Sequence, residues 1–165
     1  DCCVHGEQSR TLKLARRYLD TLEDVQVNHQ KLYELDLAPL SCQETVERKR
    51  TDIAKTFAQA DEIVVAAPYW DLSFPSILKV YLEHVCVTGI TFHYVGYETQ
   101  GLCKAKKAVY ISTAGGFVGA HHLGEEYIQT VFQAMFSIPE FHTIRCEGLD
   151  LPDADPEALV AEAAL

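Results

Sequence analysis

A chain of 165 residues with 48% hydrophobic and 23% charged side chains has the composition of one folded domain around one core, and excludes disorder. Its net charge of −10 repels nucleic acid and anionic membrane surfaces, so neither is an expected partner. No apolar run approaches the roughly 20 residues of a membrane helix, and no signal-peptide pattern opens the chain.

In chain order, Ser9-Arg10-Thr11 opens a helical pattern, with Ser9 as N-cap and Leu12, Ala15, Leu19 and Leu22 on one face. Val25-Gln26-Val27 and Lys31-Leu32-Tyr33-Glu34-Leu35 read as strands, and Glu44 to Gln59 as a second helix with Ile53, Phe57 and Ala60 inward. Its charge run Glu47-Arg48-Lys49-Arg50 reads as a solvated face. Glu62 to Pro68 is a continuous apolar run with a β-branched centre, the mark of a strand buried on both faces of a parallel sheet. A helix follows from Ser73 or Pro75 to Val87, then a second buried strand from Lys107 to Thr113, ended by Gly115-Gly116. Glu125 to Phe136 reads as helix, Phe141 to Glu147 as strand and Pro156 to Ala164 as helix. This alternation predicts an α/β fold with a parallel sheet covered on both sides, in one continuous domain spanning 1–165. The first helix has no strand before it, so residues preceding Asp1 are expected, and the connection Leu37–Glu44 is short for its position.

Six cysteines occur, at positions 2, 3, 42, 86, 103 and 146, with no C-x-x-C and no zinc-finger spacing. They read as reduced thiols of a cytoplasmic protein, and no metal site is expected.

Ligands of open α/β sheets bind beyond the carboxyl ends of the strands. Three segments belong at that edge: Cys3–Thr11, Pro68–Leu72 and Thr113–Gly116. A helix start at Ser9, Arg10 and Thr11 offers free N–H groups and a positive dipole end to a phosphate, as it would in any ordinary capped helix. Pro68, Tyr69, Trp70, Asp71 and Leu72 suit either the wall of a flat ring or a loop filling the core. Thr113, Ala114, Gly115 and Gly116 suit either close approach to a ligand or a tight turn. His121-His122 reads as a surface loop, with a pocket wall as the alternative. No Ser-His-Asp arrangement and no G-x-G-x-x-G is present.

The run Pro68-Tyr69-Trp70-Asp71-Leu72-Ser73-Phe74-Pro75-Ser76-Ile77-Leu78-Lys79, then Gly89-Ile90-Thr91-Phe92 and Gly101-Leu102, resembles the flavodoxin-like NAD(P)H dehydrogenase (quinone) family, which includes FMN-dependent NADH-azoreductases. The resemblance covers about Cys3 to Gly148. It implies a three-layer sandwich with a five-stranded parallel sheet in the order 2-1-3-4-5. It implies FMN, its phosphate held at Ser9, Arg10 and Thr11 and its ring between Pro68–Leu72 and Thr113–Gly116. Cys3 stands where azoreductases often have serine, Asp71 where they usually have Asn, and Ala114 where Arg is frequent. Phe92 and Tyr94 are implied as a pocket wall across a homodimer, with simple core packing as the alternative. The activity implied is ping-pong hydride transfer from NADH or NADPH through FMN to a quinone, azo compound or similar planar acceptor, with no catalytic side chain assigned. The alternatives are a flavodoxin-like electron carrier and a non-catalytic protein that keeps only the fold.

Overall fold

The computed structural model describes residues 1–40 and 50–163. Its core is a parallel sheet of β1 (Glu62–Ala66), β4 (Lys107–Thr113) and β5 (Glu140–Cys146), in the order β1-β4-β5. Ile63 stands opposite Ala108 and Ala66 opposite Ile111, while Val109 meets His142 and Thr113 meets Cys146. Along β4 the side chains alternate between two apolar layers. Ala108 and Tyr110 face one cluster, and Val109 and Ile111 the other. Both faces are therefore buried, as the β-branched runs require.

On one face lie α1 (Arg10–Leu19) and α5 (Pro156–Ala163), which contribute Leu12, Leu14, Ala15 and Val160. On the other lie α2 (Thr51–Gln59), α3 (Ser76–Val85) and α4 (Leu123–Ala134), whose Phe57, Leu78, Leu82, Ile128 and Phe132 fill the larger cluster. Phe57 meets Phe132 and Phe136 edge-on, with ring centroids 5.7 and 5.0 Å apart. Ser9 caps α1 as expected, its hydroxyl accepting from the Leu12 amide at 3.3 Å.

Two expected strands are corrected. Val25-Gln26-Val27 is irregular, with Val25 and Val27 51% and 52% exposed. Lys31–Leu35 folds as a short 3-10 turn over Leu32–Glu34, where only Leu32 is buried. β-branched residues make a strand only where a neighbouring strand and a buried face receive them, and neither segment has both. The expected helix from Glu44 is seen from Thr51, and its portion 44–49 lies outside the described residues, as do residues 41–44 of the Leu37–Glu44 connection, Cys42 and the charges of Glu47, Arg48 and Lys49. Arg50 pairs with Asp52 at 2.8 Å and donates to the Leu35 carbonyl.

An antiparallel hairpin, β2 (Phe92–Val95) and β3 (Glu98–Gly101), was not foreseen. Gly96 takes φ +64° at the first turn position, where a type II′ turn needs it. Thr99 Oγ1 donates to the Ala134 carbonyl, and the Gly101 amide to Ser137 Oγ. These contacts seat the hairpin at the C-terminal end of α4, just before β5 begins. That is the amino edge of the parallel sheet.

Candidate functional site

At the opposite, carboxyl edge the three segments expected to share a site do meet. The Tyr69 amide donates to the Thr113 carbonyl at 2.9 Å, joining the loop after β1 to the end of β4. Thr11 Oγ1 and Thr113 Oγ1 are 2.7 Å apart in the interior, joining the start of α1 to the same residue. The Ala114 amide donates to the Cys146 carbonyl at 2.9 Å, adding the end of β5.

Each segment presents backbone donors. Among the described residues, the amides of Arg10 and Thr11 have no protein acceptor, as expected in the first turn of a helix. The amides of Gly115 and Gly116 are likewise uncommitted, although both carbonyls accept, from Asp150 at 2.8 Å and Gly148 at 3.1 Å. A Cβ on Gly116 would meet nothing within 4 Å, so the backbone there is open to close approach.

The loop Pro68–Leu72 ends in a tight turn. The Trp70 amide donates to the Ser73 carbonyl at 3.1 Å and the Ser73 amide returns the bond at 2.8 Å. Asp71 and Leu72 hold it at φ +49° and +65°. Leu at positive φ is strained, and such strain collects at ligand sites. Trp70 is 41% and Leu72 49% exposed, so they form a rim and not a core. Pro68 and Tyr69 are half-buried, and the Tyr69 hydroxyl donates to the His121 carbonyl at 3.0 Å.

A cleft here is lined by Tyr69, Thr113 and Ala114 together with the polar residues Ser112, His122, Glu125, Arg145 and Glu147. Arg145 donates to both Glu125 oxygens at 2.7 and 2.6 Å, a bidentate pair. Glu147 accepts from the Val118 amide at 3.0 Å, so the 117–122 loop is fastened by Glu147 at one end and Tyr69 at the other. His122 lines the cleft, whereas His121 is exposed. Burial pushes the Tyr110 hydroxyl, on the cleft wall, above its ordinary pKa. Burial also raises the Cys3 thiol, with a hydrogen bond from Ser9 opposing it.

Phe92 and Tyr94 do not line this cleft. Phe92 is buried against Tyr94, centroids 5.5 Å apart, and Tyr94 is 61% exposed on the hairpin at the other edge. Missed by the sequence reading were Glu125, Arg145, Glu147 and Asp150. None belongs to a spaced motif, and only the topology places them here. Asp150 Oδ1 accepts from Arg10 Nη1 at 2.6 Å, and its amide binds Gly115.

Comparison with known proteins agrees with this geometry. Residues 2–165 match the family described as flavodoxin-like fold. An FMN-dependent NADH:quinone oxidoreductase of Clostridium perfringens is 35% identical over 94% of this chain and 86% of its own length. FMN-dependent NADH:quinone oxidoreductase 2 of Clostridium acetobutylicum is 44% identical over 65% of this chain, and the matched segment spans only 56% of that relative. In structure, an azoreductase from Bacillus anthracis superposes with a TM-score of 0.79 at 19% identity, covering 96% of this chain and 88% of the other. An FMN-dependent NADH-azoreductase from the same species, in complex with FMN, gives 0.77 at 18% identity, with 94% and 86% covered. The chain belongs to the flavodoxin-like fold family, alongside relatives named FMN-dependent NADH:quinone oxidoreductases.

Proposed function

We propose that this chain binds FMN across the carboxyl edge of its sheet and works as an NAD(P)H oxidoreductase. Hydride would pass from NADH or NADPH to a quinone, an azo compound or a similar planar acceptor. The observation that carries the reading is the convergence of Ser9–Thr11, Pro68–Leu72 and Thr113–Gly116 on Thr113, with six backbone amides at Arg10, Thr11, Asp71, Leu72, Gly115 and Gly116 left without protein acceptors among the described residues. The relatives named for FMN, NADH and quinones support it.

The residues present fit FMN. A helix start with uncommitted amides is a phosphate site without any need for a basic surface, which suits an acidic chain. FMN, when bound, supplies the hydride chemistry through its N5 position. Ser9, Arg10 and the first amides of α1 would hold the phosphate. Trp70, Leu72 and the Tyr69 ring would wall a flat slot, and the Gly115 and Gly116 amides would stabilise negative charge at the pyrimidine edge of the ring. The turn at Asp71 would present its amide, and not its carboxylate, to the ring. Tyr69 and Glu147, by fastening the 117–122 loop, would keep water from the slot.

The same reading extends to three further features. The Asp1 nitrogen donates to the Gln30 carbonyl at 2.6 Å, the Leu32 amide to the Asp1 carbonyl at 2.9 Å and the Cys2 amide to the Ala66 carbonyl at 3.1 Å. These bonds place the chain around Asp1 between Gln30–Leu32 and β1, which supports the strand order 2-1-3-4-5. A homodimer would bring a second hairpin, with the exposed Tyr94, Val95 and Tyr97, towards the open slot. The thiols of Cys2, Cys3, Cys103 and Cys146, which form no disulfide, suit a cytoplasmic setting.

The test is reconstitution followed by steady-state kinetics. Protein incubated with FMN and passed through a desalting column should retain flavin absorption bands. With NADH and a quinone varied together, one slot serving both in turn gives parallel double-reciprocal lines. A colourless protein overturns the FMN reading, and intersecting lines overturn the shared slot.

A further inference from the structure

We infer that Asp150 is a positioning residue: it holds Arg10 in place for an anion bound at the start of α1 and keys the Gly115 loop to the same point. This rests on the reading of that helix start as the phosphate end of an FMN site.

Three observations meet at Asp150. Its Oδ1 accepts from Arg10 Nη1 at 2.6 Å, across 140 residues of sequence. Its amide donates to the Gly115 carbonyl at 2.8 Å. Its carboxylate also occupies the space where a Cβ on Gly115 would stand, so only glycine admits it there. The segment around it runs along the glycine loop, with the Gly148 amide on the Gly116 carbonyl at 3.1 Å and the Leu149 amide on that of Ala114 at 3.2 Å. Asp150 therefore ties the loop after β5 both to the glycine loop and to the first residue of α1.

Structural stabilisation does not explain the pair. The Arg10 and Asp150 side chains are 39% and 65% exposed, and ion pairs in that setting add little to folding. A guanidinium in the first turn of a helix also faces the unfavourable end of the dipole. An arginine already ordered is a different matter for a ligand, because a long flexible side chain need not be immobilised at the moment of binding. One Arg10 donor is spent on Asp150, and its fork geometry keeps others for phosphate oxygens. Repulsion between the Asp150 carboxylate and a phosphate acts in the opposite sense. The Asp150 carboxylate is 65% exposed, and the high dielectric of water weakens that repulsion. Ordering is accordingly the larger effect.

The experiment compares wild type, Asp150→Asn, Arg10→Gln and the double variant, each titrated with FMN and with riboflavin, which lacks the phosphate. Asp150→Asn keeps the shape beside Gly115 and the backbone bonds while removing the charge. FMN affinity should fall about tenfold in Asp150→Asn and in Arg10→Gln, and the double variant should be no weaker than Arg10→Gln alone. Riboflavin affinity and the apo melting temperature should not change. Unchanged or tighter FMN binding by Asp150→Asn overturns the inference. So does an equal loss for FMN and riboflavin, which would make Asp150 a support of the ring-side loop. So too do additive losses in the double variant. If wild type binds FMN no better than riboflavin, the phosphate reading of the helix start falls first, and the role of Asp150 falls with it.

Discussion

Thr113 is the point on which the site turns, because its carbonyl holds the Tyr69 amide and its hydroxyl holds that of Thr11. Thr11 is only 1% exposed. Its side chain therefore joins two loops, so in the proposed site an anion would be held by Ser9, Arg10 and the free amides of the first turn. Trp70, the only tryptophan, is the residue best placed to report on the slot. At 41% exposure, on a turn with φ values of +49° and +65°, it is a rim side chain. Its emission is therefore expected to be strongly quenched by added FMN and restored when FMN is removed, since flavin absorbs where indole emits. Trp70→Ala should lower turnover by loss of ring positioning, worth about 1–3 kcal/mol of barrier. A core tryptophan would instead cost roughly 3–5 kcal/mol of stability on truncation. Emission with and without FMN, together with the melting curve of the variant, separates the two. A large loss of stability with FMN-insensitive emission would move Trp70 out of the slot.

The elements differ in how plainly the sequence announces them. β4 was legible to the residue, because an unbroken run from Lys107 to Thr113 with buried positions on both faces has no helical reading. α1 was legible from its cap, and β5 and α4 to within a residue or two at their ends. The hairpin was not, because Phe92–Val95 and Glu98–Gly101 are short and mostly exposed, and only the Gly96 turn marks them. Val25–Val27 misled for the converse reason: two β-branched residues drew a strand reading although no neighbour among the described residues buries them. The site followed the same division. Its loops lie at strand ends and could be placed, whereas Glu125, Arg145, Glu147 and Asp150 reach it only through tertiary contacts. Two glycines test the hairpin as an element. A Cβ on Gly101 would overlap the Phe136 backbone, which has no freedom to give way, so Gly101→Ala should cost about 1–3 kcal/mol by lifting the hairpin from α4. Gly96 has open space but φ +64°, so Gly96→Ala should cost about 1 kcal/mol by strain alone. Chemical denaturation should rank them in that order, and the reverse order would mean that the hairpin is not seated on α4.

Across the whole molecule, the two apolar layers flanking the sheet enclose thiols and phenols that burial makes harder to ionise. Burial pushes the Cys2 thiol from its ordinary 9.0 up to about 12, with the neighbouring Cys3 adding to the shift. Burial pushes Cys103 to about 12 as well, helped by the nearby Cys86. Tyr81 and Tyr110 are driven upward by the same cause. Lys79 and Lys107 are raised too, chiefly by hydrogen bonds to Glu83 and Tyr18 respectively. All these groups hold a proton more tightly folded than unfolded, so their contribution is complete below the unfolded values and is lost as pH rises through the folded ones. For the two thiols that window runs from about pH 9 to about pH 12. At the steepest part each thiol costs roughly 1.4 kcal/mol per pH unit. The melting temperature should therefore be level from neutral pH to about pH 8.5 and fall progressively above pH 9, within the window set by the thiols. Cys2→Ala/Cys103→Ala isolates their share from that of the tyrosines and lysines. The variant should start lower at neutral pH, because two buried side chains are truncated, yet lose stability more gently in alkali. If its curve falls parallel to that of wild type, Cys2 and Cys103 are not what ties this fold to pH.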